Sequence, residues 1–244
     1  MQRLAIIVLA GAVFAAVLLA RLPAAWVLPA LGPRLTCVRV EGTLWRGECK
    51  DVHLAGVPLD QLAWQVYPAA LLRGRLAAEL SGRRADARAR GELTVSWHGP
   101  LRARDVHARL PLESALLPAL PSYITGVLEA DVARAVVARN GAVEQLHGTL
   151  TVRHLVDSSG SVTPLGNFRI HFPAAPGEPR GQLRSLRGPL WLRGTLRLTR
   201  QPGYVLRARV AARAGASPSL LQGLQYLGAA DSQGRRPVAL AGTY

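Results

Sequence analysis

Residues 192–198 read Leu-Arg-Gly-Thr-Leu-Arg-Leu, with apolar or small residues at even positions and polar residues at odd positions. A period of two is typical of a strand with one buried and one wet face, because successive side chains point to opposite sides of a sheet. Similar short runs, separated by Gly, Pro, Asn or Asp, continue from Leu35 to the end of the chain. The sequence therefore predicts a mainly β fold made of antiparallel strands with one buried face.

The predicted strands follow one another as a meander. The alternating runs are 37–41, 48–54, 61–66, 74–80, 85–97, 101–110, 126–139, 143–155, 168–172, 182–200 and 204–213. Asn140-Gly141, which lies between two runs, is the strongest hairpin signal in the chain. Three short helices are predicted at Pro68–Leu72, Leu112–Leu120 and Pro218–Leu227, the last capped by Ser217.

The N-terminus contains an unbroken apolar run, Leu4 to Ala20, between Arg3 and Arg21. A helix of this length rises roughly 25 Å, the lower end of what spans a bilayer core. We therefore interpret residues 1–28 as an N-terminal membrane anchor. Residues 29–244 are then a β-rich domain on the periplasmic side of a bacterial inner membrane, with the N-terminus in the cytoplasm.

A cleaved signal peptide is the alternative interpretation of this run. Signal peptides have a shorter apolar stretch and small residues at alternate positions before the cleavage site. Cleavage after Ala20 would need a small residue in place of Leu18, and cleavage after Ala25 would need one in place of Pro23. These residues favour the uncleaved anchor.

The formal net charge of +15 comes almost entirely from arginine, since Lys50 is the single lysine. Clustered cations can bind nucleic acid, but here they are spread through alternating segments, as on the wet faces of strands. We expect no nucleic-acid partner. We interpret these arginines as residues of solvated strand faces. The alternative is that they form a binding patch for an anionic partner, for which anionic lipid headgroups are the best candidate.

Cys37 and Cys49 lie in the two runs that flank a turn at residues 42–47. In an antiparallel pair the positions of opposite residues have a constant sum, and 37 and 49 centre the hairpin on Thr43, within that turn. The two thiols would then face each other and could form a disulfide, as an oxidising periplasm allows. The alternative is that the two cysteines are small buried residues that lie near each other without a disulfide.

The sequence contains no recognisable catalytic, cofactor-binding or metal-binding motif. None of the six histidines lies in a His-Glu-x-x-His or Cys-x-x-Cys context. Asp105 and His107 would share a strand face, where a surface ion pair is expected. The tryptophans of the strand-like segments are predicted to be core residues; they are Trp45, Trp64, Trp97 and Trp191.

Several landmarks together resemble the family of type II secretion system protein N, also called general secretion pathway protein N. In chain order they are Leu22-Pro23-Ala24-Ala25-Trp26-Val27-Leu28, Val40-Glu41-Gly42-Thr43-Leu44-Trp45-Arg46-Gly47, Leu62-Ala63-Trp64, Pro68 through Leu76, Leu196 through Tyr204, and Leu220 through Arg235. The resemblance implies a non-catalytic inner-membrane accessory component without a cofactor. Its implied partners are the inner-membrane platform subunits and the outer-membrane secretin, which it would bridge, together with membrane lipid.

The same family is distantly similar to AsmA-like proteins, whose curled sheets form an apolar groove for lipid. This similarity implies a curled antiparallel sheet and an alternative function, binding or transport of lipid. Strand alternation is the same in a groove and in a closed sandwich. The sequence therefore does not separate the two functions.

Overall fold

The computed structural model describes residues 18, 20–27, 35–54, 57–97, 99–112 and 122–243. Most of the predicted anchor run Leu4–Ala20 and nearly all of the predicted helix Leu112–Leu120 lie outside these residues. Within the described ranges, no helix is long and apolar enough to cross a membrane.

The described strands form a single antiparallel sheet in which every strand pairs with its neighbours in sequence. The order is β1 to β13 without a crossover, which confirms the predicted mainly β meander. The strands are β1 Leu35–Gly42, β2 Arg46–Leu54, β3 Val57–Val66, β4 Arg75–Arg84, β5 Ala87–Ser96, β6 Leu101–Pro111, β7 Ile124–Val137, β8 Val143–Asp157, β9 Thr163–Phe172, β10 Arg180–Arg187, β11 Leu190–Leu198, β12 Tyr204–Ala212 and β13 Arg236–Gly242.

Within the part of the chain that the structure describes, three short helices accompany the sheet: α1 Ala24–Val27, α2 Pro68–Leu71 and α3 Pro218–Gln225. The predictions of α2 and α3 are confirmed. The Ser217 hydroxyl accepts a hydrogen bond from the Leu220 backbone N–H at 3.3 Å, which is the predicted N-cap. Leu220 and Leu224 are buried against Val210 of β12, so α3 covers one end of the sheet.

The predicted run 182–200 is wrong as a single strand, because the chain turns at Gly188-Pro189 between β10 and β11. Gly188 has a φ of 118°, which an L side chain rarely adopts. The hairpin predicted at Asn140-Gly141 is confirmed: Gly141 has a φ of 87°, and the Asn140 side-chain oxygen accepts from the Ala142 N–H at 3.0 Å.

Three non-glycine residues within strands have positive φ: Asp51 at 53°, Asp105 at 48° and His154 at 51°. At Asp105 the pairing of β5 with β6 shifts by one residue, as in a β-bulge. A bulge moves the side chains beyond it to the other face of the strand. The register also shifts beside His154 but not at Asp51, so Asp105 and His154 are the two of these positions that change which residues share a face of the sheet.

Candidate functional site

One face of the sheet is apolar along its whole width. Following the register from strand to strand gives a row of residues, one from each strand, that we call the apolar row. Its members are Val40, Cys49, Leu62, Gly82, Ala89, Ala108, Ala130, Leu150, Ile170, Leu183, Gly194, Ala208 and Val238. The described residues contain no second sheet to cover this face, and α3 is the helix that packs on it, over β9 and β12.

The adjacent residues form a second row on the opposite face, which we call the cationic row. Its members are Arg39, Lys50, Gln61, Arg83, Arg88, Arg109, Glu129, Thr151, Arg169, Arg184, Arg193, Arg209 and Pro237. All but four of these residues are cationic, and Glu129 is the one acidic member. Much of the chain's excess positive charge is thus aligned across the strands at about 4.8 Å per strand.

The middle of the cationic row borders a cavity of about 840 Å³ on the polar face, spanning β4 to β9. Its charged lining consists of six arginines and two carboxylates, so four positive charges remain formally uncompensated. These residues are Arg83, Arg88, Arg90, Arg109, Arg153, Arg169, Glu129 and Asp131. Because lining residues from six consecutive strands meet around one space, the polar face is concave here.

Glu129, one of the two carboxylates, is already engaged by arginines on both neighbouring strands. Glu129 accepts from Arg153 Nε at 2.5 Å and lies 3.6 Å from an Arg109 guanidinium nitrogen. Arg169 Nε donates to the hydroxyl of Thr151, which is only 6% exposed. On the β8 and β9 side of the cavity, the arginine side chains therefore already bond to other residues of the lining.

The β4 and β5 side of the cavity differs, because its arginines lack carboxylate partners. Among the described residues, no carboxylate oxygen lies within 4 Å of the Arg83, Arg88 or Arg90 guanidinium, and all three side chains are exposed. Arg83 lies directly opposite Arg88, which in turn lies opposite Arg109. Like charges placed directly opposite each other destabilise a sheet. The cavity is therefore electropositive mainly at this end.

The expected ion pair between Asp105 and His107 is wrong. The bulge at Asp105 interrupts the alternation of β6, so the two residues do not share a face as regular strand geometry predicts. His107 Nδ1 instead lies 3.5 Å from a carboxylate oxygen of Asp131, its cross-strand partner on β7. This pair lies at the rim of the cavity.

Cys37 and Cys49 form a disulfide in the structure, with their Cα atoms 5.9 Å apart. The predicted register, with the two cysteines directly opposite, is wrong: Cys37 pairs with Val52, and Val40 pairs with Cys49. Asp51 has positive φ between them, and both Cys49 and Val52 are fully buried although three residues apart. The irregular backbone of β2 thus brings the two sulfur atoms together.

The stretch Val40–Gly47 is organised by Trp64 of β3. Gly47 lies opposite Trp64, and a Cβ at Gly47 would stand 2.6 Å from the indole ring. The indole N–H is shared between the carbonyl oxygens of Thr43 and Leu44, at 3.3 and 3.2 Å. A glycine is therefore required where the ring packs on the hairpin.

Trp97 and Trp191 depart from the predicted core role. Trp97 is 80% exposed after the end of β5. Trp191 lies on the polar face, where the Arg235 guanidinium sits 4.6 Å from its ring centroid, a cation–π contact. Trp45 lies in the β1–β2 turn, and its carbonyl accepts from the Val66 N–H at 2.7 Å.

Across the described ranges, no group of three His, Cys, Asp or Glu side chains could hold a metal ion. The cavity and its arginines were not predicted from the sequence. One signal was present: a two-residue turn at Ala85-Asp86 would pair Arg83 with Arg88 by the constant-sum rule. The remaining pairings depend on bulges that alternation does not reveal.

Comparison with known proteins gives one family. The family model described as type II secretion system (T2SS), protein N, matches residues 33–239. The chain is 29% identical over 237 residues to the type II secretion system protein N of Aeromonas hydrophila, covering 92% of each chain. It is 35% identical over 97 residues to the protein of that name from Vibrio cholerae serotype O1, covering 37% of this chain and 38% of that protein. No solved structure matches.

The family match covers β1 to β12 and most of β13, and therefore nearly the whole described sheet. It includes the Val40–Gly47 hairpin, the cavity and α3. On this match, the chain belongs to the family of type II secretion system protein N.

Proposed function

We propose that the chain is a non-catalytic accessory component of the type II secretion system that bridges the inner-membrane platform and the outer-membrane secretin. In this proposal residues 1–28 anchor it in the inner membrane and residues 29–244 lie in the periplasm. The family match supports membership of the secretion system. The Cys37–Cys49 disulfide supports an oxidising compartment.

The structural observation that carries the bridging role is the open sheet. β1 and β13 each have one neighbour, so each leaves one edge unpaired within the described residues. Exposed strand edges recruit other chains by β-augmentation. Val38 on β1 is 77% exposed and Leu240 on β13 is 54% exposed, which adds apolar contact area at both edges. Two edges allow two different partners to be held at once.

Site-specific photo-crosslinking from Val38 in the full-length protein, in its native membranes, tests this role. Val162 is the matched control, since it is also a valine, is 74% exposed, and lies between β8 and β9 rather than at an edge. Crosslinks to platform or secretin subunits from Val38 but not from Val162 are expected. Crosslinks of equal yield from both positions, or none to a secretion subunit from Val38, would refute edge-mediated bridging.

The exposed side chains of Leu76 and Val95 on the apolar face favour a second candidate function, binding of a lipid chain. Leu76 and Val95 lie directly opposite each other on β4 and β5 and are 48% and 42% exposed. In the lipid-binding proposal an acyl chain covers such side chains. Apolar residues left in water over a wide face are otherwise unfavourable.

The lipid function is tested by mass spectrometry of lipids that copurify with the full-length protein. The variant L76Q/V95Q places amides on the apolar face, whereas A77Q/T94Q places them on the next cross-strand pair, which faces the other side. Lipid retained by the second variant and lost by the first is expected. Equal retention in both variants would count against an acyl chain on this face.

A further inference from the structure

We propose that the cavity on the polar face, lined by Arg83, Arg88, Arg90 and Arg109, binds a ligand that carries more than one phosphate group. The site lies on the opposite face from the apolar row and away from the unpaired edges. The inference is therefore independent of both functions proposed above.

The first argument is the spacing of the arginines. Arg83, Arg88 and Arg109 stand directly opposite one another on three consecutive strands. Cross-strand neighbours have Cβ atoms about 5 Å apart, so three guanidinium groups can reach one point in the cavity. A phosphate offers three or four acceptor oxygens to such a cluster, and arginine forks match its geometry.

The second argument is charge balance. The lining contains two carboxylates: Glu129, which is held by Arg153 and Arg109, and Asp131, which lies beside His107. Four positive charges remain formally uncompensated in the lining. A single carboxylate ligand would neutralise one of them, whereas a ligand with two or more phosphates matches the excess.

The third argument is the shape of the site. A volume of about 840 Å³ lies within the range of small-molecule sites. A flat solvated strand face explains isolated arginines, but it gives neither a concave space nor a lining in which three arginines, Arg83, Arg88 and Arg90, lack a carboxylate partner among the described residues. An extended acidic peptide would instead follow the cationic row along its length, beyond the cavity.

Two sources can supply this chemistry, an anionic lipid headgroup and a soluble phosphate compound. The full-length protein in maltoside micelles is titrated with pyrophosphate by calorimetry. Separately it is titrated with mixed micelles containing cardiolipin, which has two phosphates, or phosphatidylcholine, which is zwitterionic. Saturable binding of pyrophosphate alone identifies a soluble ligand, and binding of cardiolipin micelles alone identifies a lipid headgroup.

The variant R88Q/R90Q removes two cavity arginines, and R193Q/R207Q removes two exposed arginines of the same face, on β11 and β12, outside the cavity. We expect R88Q/R90Q to weaken binding by about tenfold or more, the usual effect of losing charge-assisted hydrogen bonds. The matched control should stay within about twofold at physiological salt. Thermal unfolding checks that both variants fold.

Three results would overturn the proposal. One is no saturable binding of either phosphate probe. Another is equal weakening by the two variants, which would indicate non-specific attraction to the polar face. The third is tighter binding of an oligoglutamate peptide with the same dependence on Arg88 and Arg90, which would assign the cavity to an acidic protein segment.

Discussion

Phe172 gives the sharpest test of how a single-layer sheet stabilises its apolar face. It is 1% exposed, although no second sheet lies over it in the described part of the chain. A Cβ at Gly181, on the next strand, would stand 2.8 Å from the Phe172 ring. The ring therefore lies over this glycine on the adjacent strand.

Replacing Phe172 by alanine removes roughly 130 Å² of buried apolar area, which corresponds to a loss of about 3 kcal/mol in the free energy of unfolding. This value lies at the lower end of the range for Phe→Ala in closed cores. For a chain of this size it lowers Tm by roughly 6–12 °C. Leu76→Ala on the same face should cost only about 1 kcal/mol, because Leu76 is 48% exposed.

The assay is urea unfolding of the full-length variants in maltoside micelles, followed by far-UV circular dichroism. A change in midpoint with an unchanged m value measures stability alone. The reasoning is refuted if Phe172→Ala costs less than about 1 kcal/mol, or if Leu76→Ala costs as much as Phe172→Ala. The latter result would mean that another layer covers the whole face.

Three further outcomes are expected. Reducing the Cys37–Cys49 disulfide should lower the free energy of unfolding by about 2–3 kcal/mol, as measured by urea unfolding. It should also release two thiols, which thiol titration counts. The double variant Cys37→Ala/Cys49→Ala should be as stable as the reduced protein. Ser217→Ala should cost about 1 kcal/mol through loss of the α3 cap, measured by thermal unfolding, whereas Ser217→Asp should retain most of the stability. The Arg235 and Gln233 backbone N–H groups lower the pKa of Asp231 below its ordinary 3.8; its stabilising contribution is therefore present above pH 3.8 and lost as pH falls through the lowered value. The stability difference between wild type and Asp231→Ala should accordingly shrink in acid, and a difference that stays constant below that pH would contradict the assignment.

Alternation was sufficient to predict the sheet but not its register. The period of two at residues 192–198 predicts the strand and its solvent-exposed face, because a strand buried on one side has apolar residues at alternate positions. The pairing of Cys37 with Val52 left no such trace in the sequence, since it follows from a β1–β2 turn centred between Leu44 and Trp45 rather than on Thr43. Strand ends were also uncertain where Gly188-Pro189 interrupts an otherwise continuous alternating run.

The cavity was missed for the same physical reason. Arg109 is 21 residues from Arg88 in sequence, and Arg83, Arg88 and Arg109 each look like an ordinary solvent-exposed strand residue. Only the cumulative register of three strands, including the extra residue at Asp105, places them side by side. Long-range cross-strand contacts are set by turn lengths and bulges, and a periodicity argument evaluates neither.

The three proposed activities use different parts of one sheet, and this separates their tests. Val38 lies at an edge, Leu76 on the apolar face, and Arg88 on the polar face. Adjacent residues of a strand point to opposite faces. A substitution at Arg88 therefore does not change the side chains of the apolar row. A variant such as R88Q/R90Q that loses phosphate binding yet keeps its Val38 crosslinks would show that ligand binding and assembly are independent. If the crosslinks disappeared as well while the protein stayed folded, the phosphate ligand would have to be part of the assembled interface.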